Sequence, residues 1–289
     1  MARSPKSMAL GSALRQARLT KELGLREFAE QIDRDPGMLS RWETGDRNPK
    51  PEHVAQILTA LGVTGERYDD IMTLAYGSSD PQWVATTLPE QRQQMSAYVE
   101  FEQNATSIVE MAPLIIPGIL QTNDTIRAIM NAGGVPPSEI AARVSMRIGR
   151  REVITGPRPA KLLALIGHGA LCQDIGGTEV AIEQLRHLLE MASRPNVDLR
   201  VVPHRVGWHP GIEGPFALIE SEESSSVFLG TRRSTLWLHQ QNDVASYRRA
   251  VEIVLRVALT PERSMRHIAQ LVQRMETRGD GSRLAKVES

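Results

Sequence analysis

The chain has 289 residues, 34 lysines and arginines against 34 aspartates and glutamates, and 41% apolar residues, which indicates two domains with cores of ordinary size. Its single cysteine excludes an intrachain disulfide and a zinc site built from cysteines. The most apolar stretch, residues 111–120, contains two prolines and is too short to span a bilayer. The first residues lack the apolar segment of a secretory signal. These features predict a cytoplasmic protein without a membrane partner.

The charge is unevenly distributed although its sum is zero. Residues 1–21 contain no acid and five basic side chains, namely Arg3, Lys6, Arg15, Arg18 and Lys21. The zero sum therefore does not exclude a nucleic-acid partner, but it excludes a protein that coats polyanions with its whole surface.

Residues 1–75 predict an all-α domain of five short helices. The first two carry the apolar stripes Leu10, Leu14, Ala17, Leu23 and Phe28, Ala29, Ile32. The third begins at Asp35-Pro36, where aspartate caps and proline suits the first helical position, and it ends at Gly45. The fourth and fifth are predicted over residues 51–61 and 66–75.

A composition change at residues 76–90, toward Gly, Ser, Pro and Thr, predicts a linker. Residues 91–277 predict an α+β regulatory or partner-binding domain, and residues 278–289 a polar, frayed tail. The predicted elements are helices at 90–108 and 123–131, a helix capped by Ser138, a strand at 161–166, a helix at 179–192, strands at 197–202, 215–220, 227–231 and 235–239, and helices at 243–259 and 261–275. The fold class is α+β overall.

Residues 23–49, LGLREFAEQIDRDPGMLSRWETGDRNP, contain the most informative motif. Two short helices are joined by the turn Asp33-Arg34-Asp35. The side chains that can form their shared core are Phe28, Ile32, Leu39 and Trp42. The residues left outside or at the helix start are Pro36, Gly37, Met38, Ser40 and Arg41. This arrangement places the start of a recognition helix in a DNA major groove.

Residues 10–62 resemble the XRE-type (phage-repressor-like) helix-turn-helix domain. The matching residues are LxxxR at 14–18, Phe28-Ala29 and LSRWExGxRxP at 39–49. The resemblance implies that Arg18 and Glu43 pair beneath the surface and orient the recognition helix. The chain departs from the family at Leu25, Asp33 and Arg34, which puts the usual phosphate contact of the second helix in doubt. Arg26 or Arg34 can replace it.

By position, the base-reading places of that family fall at Pro36, Gly37 and Arg41. Arg41 alone among them has a long polar side chain, which suits bidentate recognition of guanine. Met38 can contact a thymine methyl group. The predicted phosphate contacts are Arg26, Arg34, Ser40, Arg47, Asn48 and Lys50.

Residues 95–275 resemble the C-terminal domain of an actinobacterial group of XRE-type regulators described as antitoxin-like. The matching stretches are YVEFEQNA (98–105), PLIIPGILQT (113–122), GGTEVAIEQLRHLLEMASRPNVDLRVVP (176–203), GPFALIE (214–220) and ALTPERS (258–264). The resemblance implies a regulator that works with a small partner protein. The chain departs from this group at Gly167-His168-Gly169.

Other charged residues leave alternatives open. Four arginines at helical spacing, Arg143, Arg147, Arg150 and Arg151, form either a second contact surface for DNA or an acidic partner, or a solvated helix face. His168, His204 and His209 lack metal-ligand spacing and are expected to be ordinary loop histidines. No metal, cofactor or catalytic motif is found, which predicts a protein that is not an enzyme.

The sequence therefore predicts a transcriptional regulator that binds a double-stranded DNA operator as a homodimer. The C-terminal domain is expected to serve dimerisation and sensing or partner binding. The alternative is an antitoxin-like protein that sequesters a small partner and binds DNA for autoregulation. An enzyme attached to an operator-binding module is the least supported interpretation.

Overall fold

The computed structural model describes residues 4–76, 82–85, 88–222, 224–231 and 234–287, without the side chains of residues 88, 89, 91, 92 and 278–287. The chain divides into two compact units. Unit 1 contains residues 1–101 and 223–244, and unit 2 contains residues 102–222 and 245–289. Within the described residues no helix is both long enough and apolar enough to cross a membrane.

The helices and strands are numbered in chain order. The helices are α1 (Pro5–Thr20), α2 (Leu25–Gln31), α3 (Pro36–Glu43), α4 (Pro51–Ala60), α5 (Glu66–Ala75), α6 (Leu88–Gln103), α7 (Asn123–Ala132), α8 (Pro137–Gly149), α9 (Glu152–Thr155), α10 (His168–Leu171), α11 (Thr178–Ala192), α12 (Gln241–Val257) and α13 (Pro261–Val287). The strands are β1 (Gln82–Ala85), β2 (Ser107–Ala112), β3 (Lys161–Gly167), β4 (Val197–Val202), β5 (Phe216–Glu220), β6 (Ser225–Gly230) and β7 (Thr235–Leu238).

Helices α1–α5 confirm the predicted all-α N-terminal part. They bury a shared core that includes Leu10, Leu14, Phe28, Leu39, Val54, Ile57 and Leu58. Helix α1 ends at Thr20, so Leu23 lies after it and not in its stripe. A Cβ atom at Gly11 would lie 2.6 Å from the carbonyl oxygens of Trp42 and Glu43. Glycine at this position therefore lets α1 lie directly against the end of α3.

Unit 1 also contains strands that pair across a large sequence separation. Strand β1 pairs antiparallel with β7, Trp83 opposite Trp237, and β7 pairs antiparallel with β6. Trp237 is fully buried, with ring centroids 5.1 Å from Phe101 and 5.2 Å from Phe228. Residues 82–85 fall inside the predicted linker but form β1. Residues 77–81 and 86–87 of that linker lie outside the described residues.

Unit 2 is built on strands in the order β5-β2-β3-β4. Strands β2, β3 and β4 are parallel, whereas β5 is antiparallel to β2. The predicted strand–helix–strand sequence is confirmed as β3, α11 and β4. The core between this sheet and its helices includes Leu162, Ala164, Ile166, Leu185, Leu188, Leu199, Val201 and Ile268.

Three predicted elements of the second part are wrong in detail. The helix predicted over 90–108 ends at Gln103, and Ser107–Ala112 forms β2 between β3 and β5. Ser138 does not cap α8, because the cap position is Pro136 and the helix begins at Pro137. Helix α13 continues through the predicted polar tail to Val287.

Candidate nucleic-acid interface

Local backbone bonds fix the turn between α2 and α3. Asp33 adopts φ +52°, and the following amide of Arg34 donates to the carbonyl oxygen of Ala29 at 2.9 Å. Aspartate tolerates this left-handed conformation better than most residues. The amide of Met38 donates to Oδ1 of Asp35 at 2.8 Å, which satisfies a free amide at the start of α3. The turn and the start of α3 are thus held by short-range bonds.

Helix α3 has one buried and one exposed face. Leu39 and Trp42 are buried, whereas Gly37 and Arg41 are exposed. Pro36, Met38 and Ser40 are partly exposed. Because α3 advances about 100° per residue, burial of Leu39 and Trp42 turns Arg41 away from the core. The predicted base-reading residues therefore share an accessible side of α3 and its first turn.

Arg18 and Glu43 form the buried ion pair that the resemblance implied. Nε and Nη2 of Arg18 donate to the two carboxylate oxygens of Glu43, each at 2.7 Å. The Arg18 and Glu43 side chains are only 7% and 4% exposed. Nη1 of Arg18 also donates to the carbonyl oxygen of Leu23 at 2.6 Å. Hydrogen bonding to Glu43 raises the pKa of Arg18. The bidentate pair joins the end of α1 to the end of α3.

Helix α4 makes two further contacts that sequence reasoning missed. The rings of Trp42 and His53 stack with centroids 5.3 Å apart. Nη2 of Arg34 donates to Oε1 of Gln56 at 2.9 Å. His53 follows Pro51 by two residues in the first turn of α4, but no spacing rule links it to Trp42. The Arg34 guanidinium is therefore placed by α4, and it keeps other N–H groups available for a phosphate.

Apart from Ser40, which lies within α3, the other predicted phosphate contacts lie at the starts of helices or in the loop after α3. Arg26, Arg47 and Lys50 are exposed, and Asn48 is partly exposed. Lys50 is the N-cap residue of α4, so its charge adds to the positive end of that helix. The acid Asp46 is also exposed and accepts a bond from the Thr44 hydroxyl at 2.6 Å.

The four arginines of the proposed stripe are Arg143, Arg147, Arg150 and Arg151, and most of them point into unit 2. Nε and Nη2 of Arg150 donate to the buried carboxylate of Glu102 at 2.6 and 2.8 Å. Arg151 donates to the carbonyl oxygen of Gln121 at 2.5 Å and Arg147 to its side-chain oxygen at 3.3 Å. Arg143 alone pairs on the surface, with Glu139. Both alternatives that the sequence left open are therefore wrong: the four arginines form neither a common contact surface nor a solvated helix face.

Two of the three histidines singled out from the sequence lie together. The ring centroids of His168 and His204 are 4.9 Å apart, and His267 joins them through a 2.8 Å contact between its Nε2 and Nδ1 of His168. His209 is buried as well. Separations of 36 and 99 residues hid this cluster from sequence analysis. In the part of the chain that the structure describes, no group of three ligating side chains fits a metal ion.

Comparison with family models assigns both parts of the chain. Residues 9–70 match a helix-turn-helix domain, and residues 95–270 match a family described as a domain of unknown function (DUF5753). No curated protein matches the chain. The helix-turn-helix match covers most of α1, all of α2–α4 and the first half of α5, and thus Arg18, Glu43 and every predicted DNA contact.

Proposed function

This chain belongs to the family defined by the domain of unknown function DUF5753, joined to a helix-turn-helix domain, and we propose that it is a sequence-specific transcriptional regulator of the XRE type. The proposal rests on one observation. Arg41 is exposed on α3, the helix that follows the characteristic turn. The buried Arg18–Glu43 pair attaches the end of this helix to α1. Such a helix suits the major groove.

Arg41 is the proposed base reader. Its guanidinium can donate two parallel hydrogen bonds to O6 and N7 of guanine. Met38 lies one turn earlier and can contact a thymine methyl group, while Pro36 and Gly37 let the start of α3 approach the bases closely. Arg26, Arg34, Ser40, Arg47, Asn48 and Lys50 are the proposed phosphate contacts.

We further propose that two copies bind a two-fold symmetric operator, because a single short recognition helix reads few base pairs. Unit 2 is then the place for dimerisation and for sensing or binding a small partner protein. Unit 2 exposes large apolar side chains, among them Leu114 (66%), Trp208 (68%) and Ile212 (59%). Exposed apolar side chains mark a protein contact where they form one continuous patch. This observation also favours the second candidate, an antitoxin-like protein that binds DNA for autoregulation.

The test is a binding selection on randomised duplex DNA at two salt concentrations, with the full chain and three variants. Arg41→Ala should relax the preference at one base pair per half-site, which corresponds to about 1–3 kcal/mol of discrimination. Lys50→Ala should weaken binding to all sequences alike and reduce the salt slope by about 0.9. Arg67→Ala is the matched control, because Arg67 is an exposed arginine on α5.

Retention of the wild-type preference at every position by Arg41→Ala would contradict the assignment of Arg41. The reading would then come from Arg34, Met38 or DNA shape. Isolation of the chain from its host separates the two candidate functions, because a stoichiometric small protein bound to unit 2 favours the antitoxin-like alternative.

A further inference from the structure

The carboxyl ends of β3 and β4 bring distant side chains to one edge of the unit 2 sheet. Strand β3 ends at Gly167 and is followed by His168, while β4 ends at Val202 and is followed by Pro203 and His204. Parallel neighbouring strands place these ends side by side, which explains the contact between the two rings.

Helix α13 closes one side of the same edge. The amide of Val201 donates to the hydroxyl of Ser264 at 2.9 Å, and the amide of Leu259 donates to the carbonyl oxygen of Val201 at 2.9 Å. These bonds fix the start of α13 against β4. His267 lies three positions after Ser264 on α13, which brings it beside His168. These hydrogen bonds therefore hold the end of β4 and the start of α13 in a defined arrangement.

A cavity of about 400 Å³ lies between the end of β4 and α13. This volume is within the range of small-molecule sites. Its apolar lining consists of Val201, Pro203 and Leu259, and its polar lining consists of Arg263, Arg266, His267 and Gln270. The polar groups are therefore two cations, an imidazole and an amide, and no carboxylate is among these lining residues.

The charges around the cavity favour a bound anion. Arg263 and Arg266 are exposed and lie three positions apart, on one side of α13. Arg274 lies further along α13 and acts electrostatically on His168 and His267. Acids are also close: the charge of Glu262 interacts with Arg200 and Arg266, and Asp198 pairs with Arg200 at 2.9 Å.

The histidines contribute hydrogen bonds and not a fixed charge. Burial lowers the pKa of His168 and of His267, and the charge of Arg274 lowers both further. The lowered pKa values favour the uncharged imidazoles at neutral pH, and of the two N–H groups of this neutral pair one is used in the contact between His168 and His267, which leaves one N–H donor. A doubly charged oxyanion has three acceptor oxygens. It can therefore accept hydrogen bonds from an imidazole N–H and from two guanidinium groups at the same time.

We propose that this cavity binds a small phosphorylated molecule, whose phosphate contacts Arg263 and Arg266 and whose organic part packs against Val201, Pro203 and Leu259. His267 and Gln270 donate the remaining hydrogen bonds. The proposal concerns binding by unit 2 and does not depend on DNA binding by unit 1.

The experiment is calorimetric titration of the full chain with phenyl phosphate, inorganic phosphate and benzoate. Phenyl phosphate should bind more tightly than inorganic phosphate, because the cavity has an apolar lining, and more tightly than benzoate, which carries one charge. Arg263→Ala and Arg266→Ala should each weaken phenyl phosphate binding about tenfold or more. Arg266→Lys keeps the charge but not the paired donors and should fall between Arg266→Ala and the wild type.

The matched control is Arg249→Ala, which removes an exposed arginine from α12 and should leave the affinity for phenyl phosphate unchanged. Circular dichroism checks that each variant is folded. Equal losses in Arg249→Ala and Arg266→Ala, equal affinity for benzoate and phenyl phosphate, or no binding of either phosphate at millimolar concentration would each overturn the proposal. Unchanged phenyl phosphate binding combined with weaker DNA binding in Arg263→Ala and Arg266→Ala would overturn it in favour of contacts with DNA phosphates.

Discussion

Replacement of Glu43 by alanine should destabilise unit 1 and weaken DNA binding together. The substitution leaves the Arg18 guanidinium, only 7% exposed, without the carboxylate that accepts two of its hydrogen bonds at 2.7 Å. Breaking a buried pair by removing one partner costs about 3–5 kcal/mol, because an uncompensated charge stays buried. The bond from Arg18 to Leu23 offsets only part of that loss.

The assay compares Glu43→Ala with Glu139→Ala. Glu139 also pairs with an arginine at 2.6 Å, but both side chains are 50% exposed, so its loss should cost less than about 1 kcal/mol. Chemical denaturation gives the free energies of unfolding, and hydrogen exchange of α1–α5 assigns the change to unit 1. The double variant Arg18→Met/Glu43→Leu removes both charges and should recover much of the lost stability.

The result also decides the role of the pair. Similar unfolding free energies for Glu43→Ala and Glu139→Ala would contradict the burial argument. A large loss of stability with unchanged operator affinity at low temperature, where the variant stays folded, would show that the pair supports the fold without orienting α3.

Three other predictions concern packing and charge elsewhere. Glu102→Gln should lower the free energy of unfolding by about 3 kcal/mol, because the buried Arg150 then faces a neutral amide with one acceptor oxygen in place of a carboxylate that is 1% exposed; a change below that of Glu139→Ala in denaturation experiments would refute this. Gly11→Ala should cost about 1–3 kcal/mol and weaken DNA binding, since the added methyl group must push α3 away; an unchanged melting temperature would contradict the close approach. The lowered pKa values of His168 and His267 mean that the folded state binds fewer protons than the unfolded state. Their stabilising contribution is therefore complete above pH 6.5 and is lost as the pH falls toward the folded pKa. A flat profile in denaturation curves between pH 7.5 and 5 would refute this.

Local signals explain what the sequence predicted well. The turn between α2 and α3 is determined by residues that act within a few positions, namely the cap Asp35, the first-position Pro36 and the left-handed Asp33. The exposure of Arg41 follows from the burial of Leu39 and Trp42 on the same helix. The pairing of Arg18 with Glu43 came from the family resemblance, because 25 residues separate them.

The features that the sequence did not predict depend on contacts between residues that are far apart in the chain. Strand β2 begins only four residues after the end of α6 and buries Glu110 together with its apolar residues, so no alternation of polar and apolar residues marks it as a strand. Strand β1 is recognisable only from its pairing with β7, about 150 residues later. The inward bonds of Arg150 and Arg151 depend on Glu102 and Gln121, whose positions follow from the tertiary fold alone.

Unit 1 is formed by two chain segments that are far apart in sequence, and this constrains the order in which the chain can fold. During synthesis, α1–α5 emerge early and their contacts are local, so they can form at once. Strand β1 then has no pairing strand, and Trp83 no sheet to cover it, until β6 and β7 have been made. The equilibrium cost of closing so long a loop grows slowly with its length, by about 0.6 kcal/mol per doubling. Its kinetic effect is larger, because non-local pairing slows folding. A chain that stops within residues 102–222 therefore carries a complete helix-turn-helix but an unpaired, apolar strand edge next to it in sequence, and such fragments should aggregate where the full chain does not.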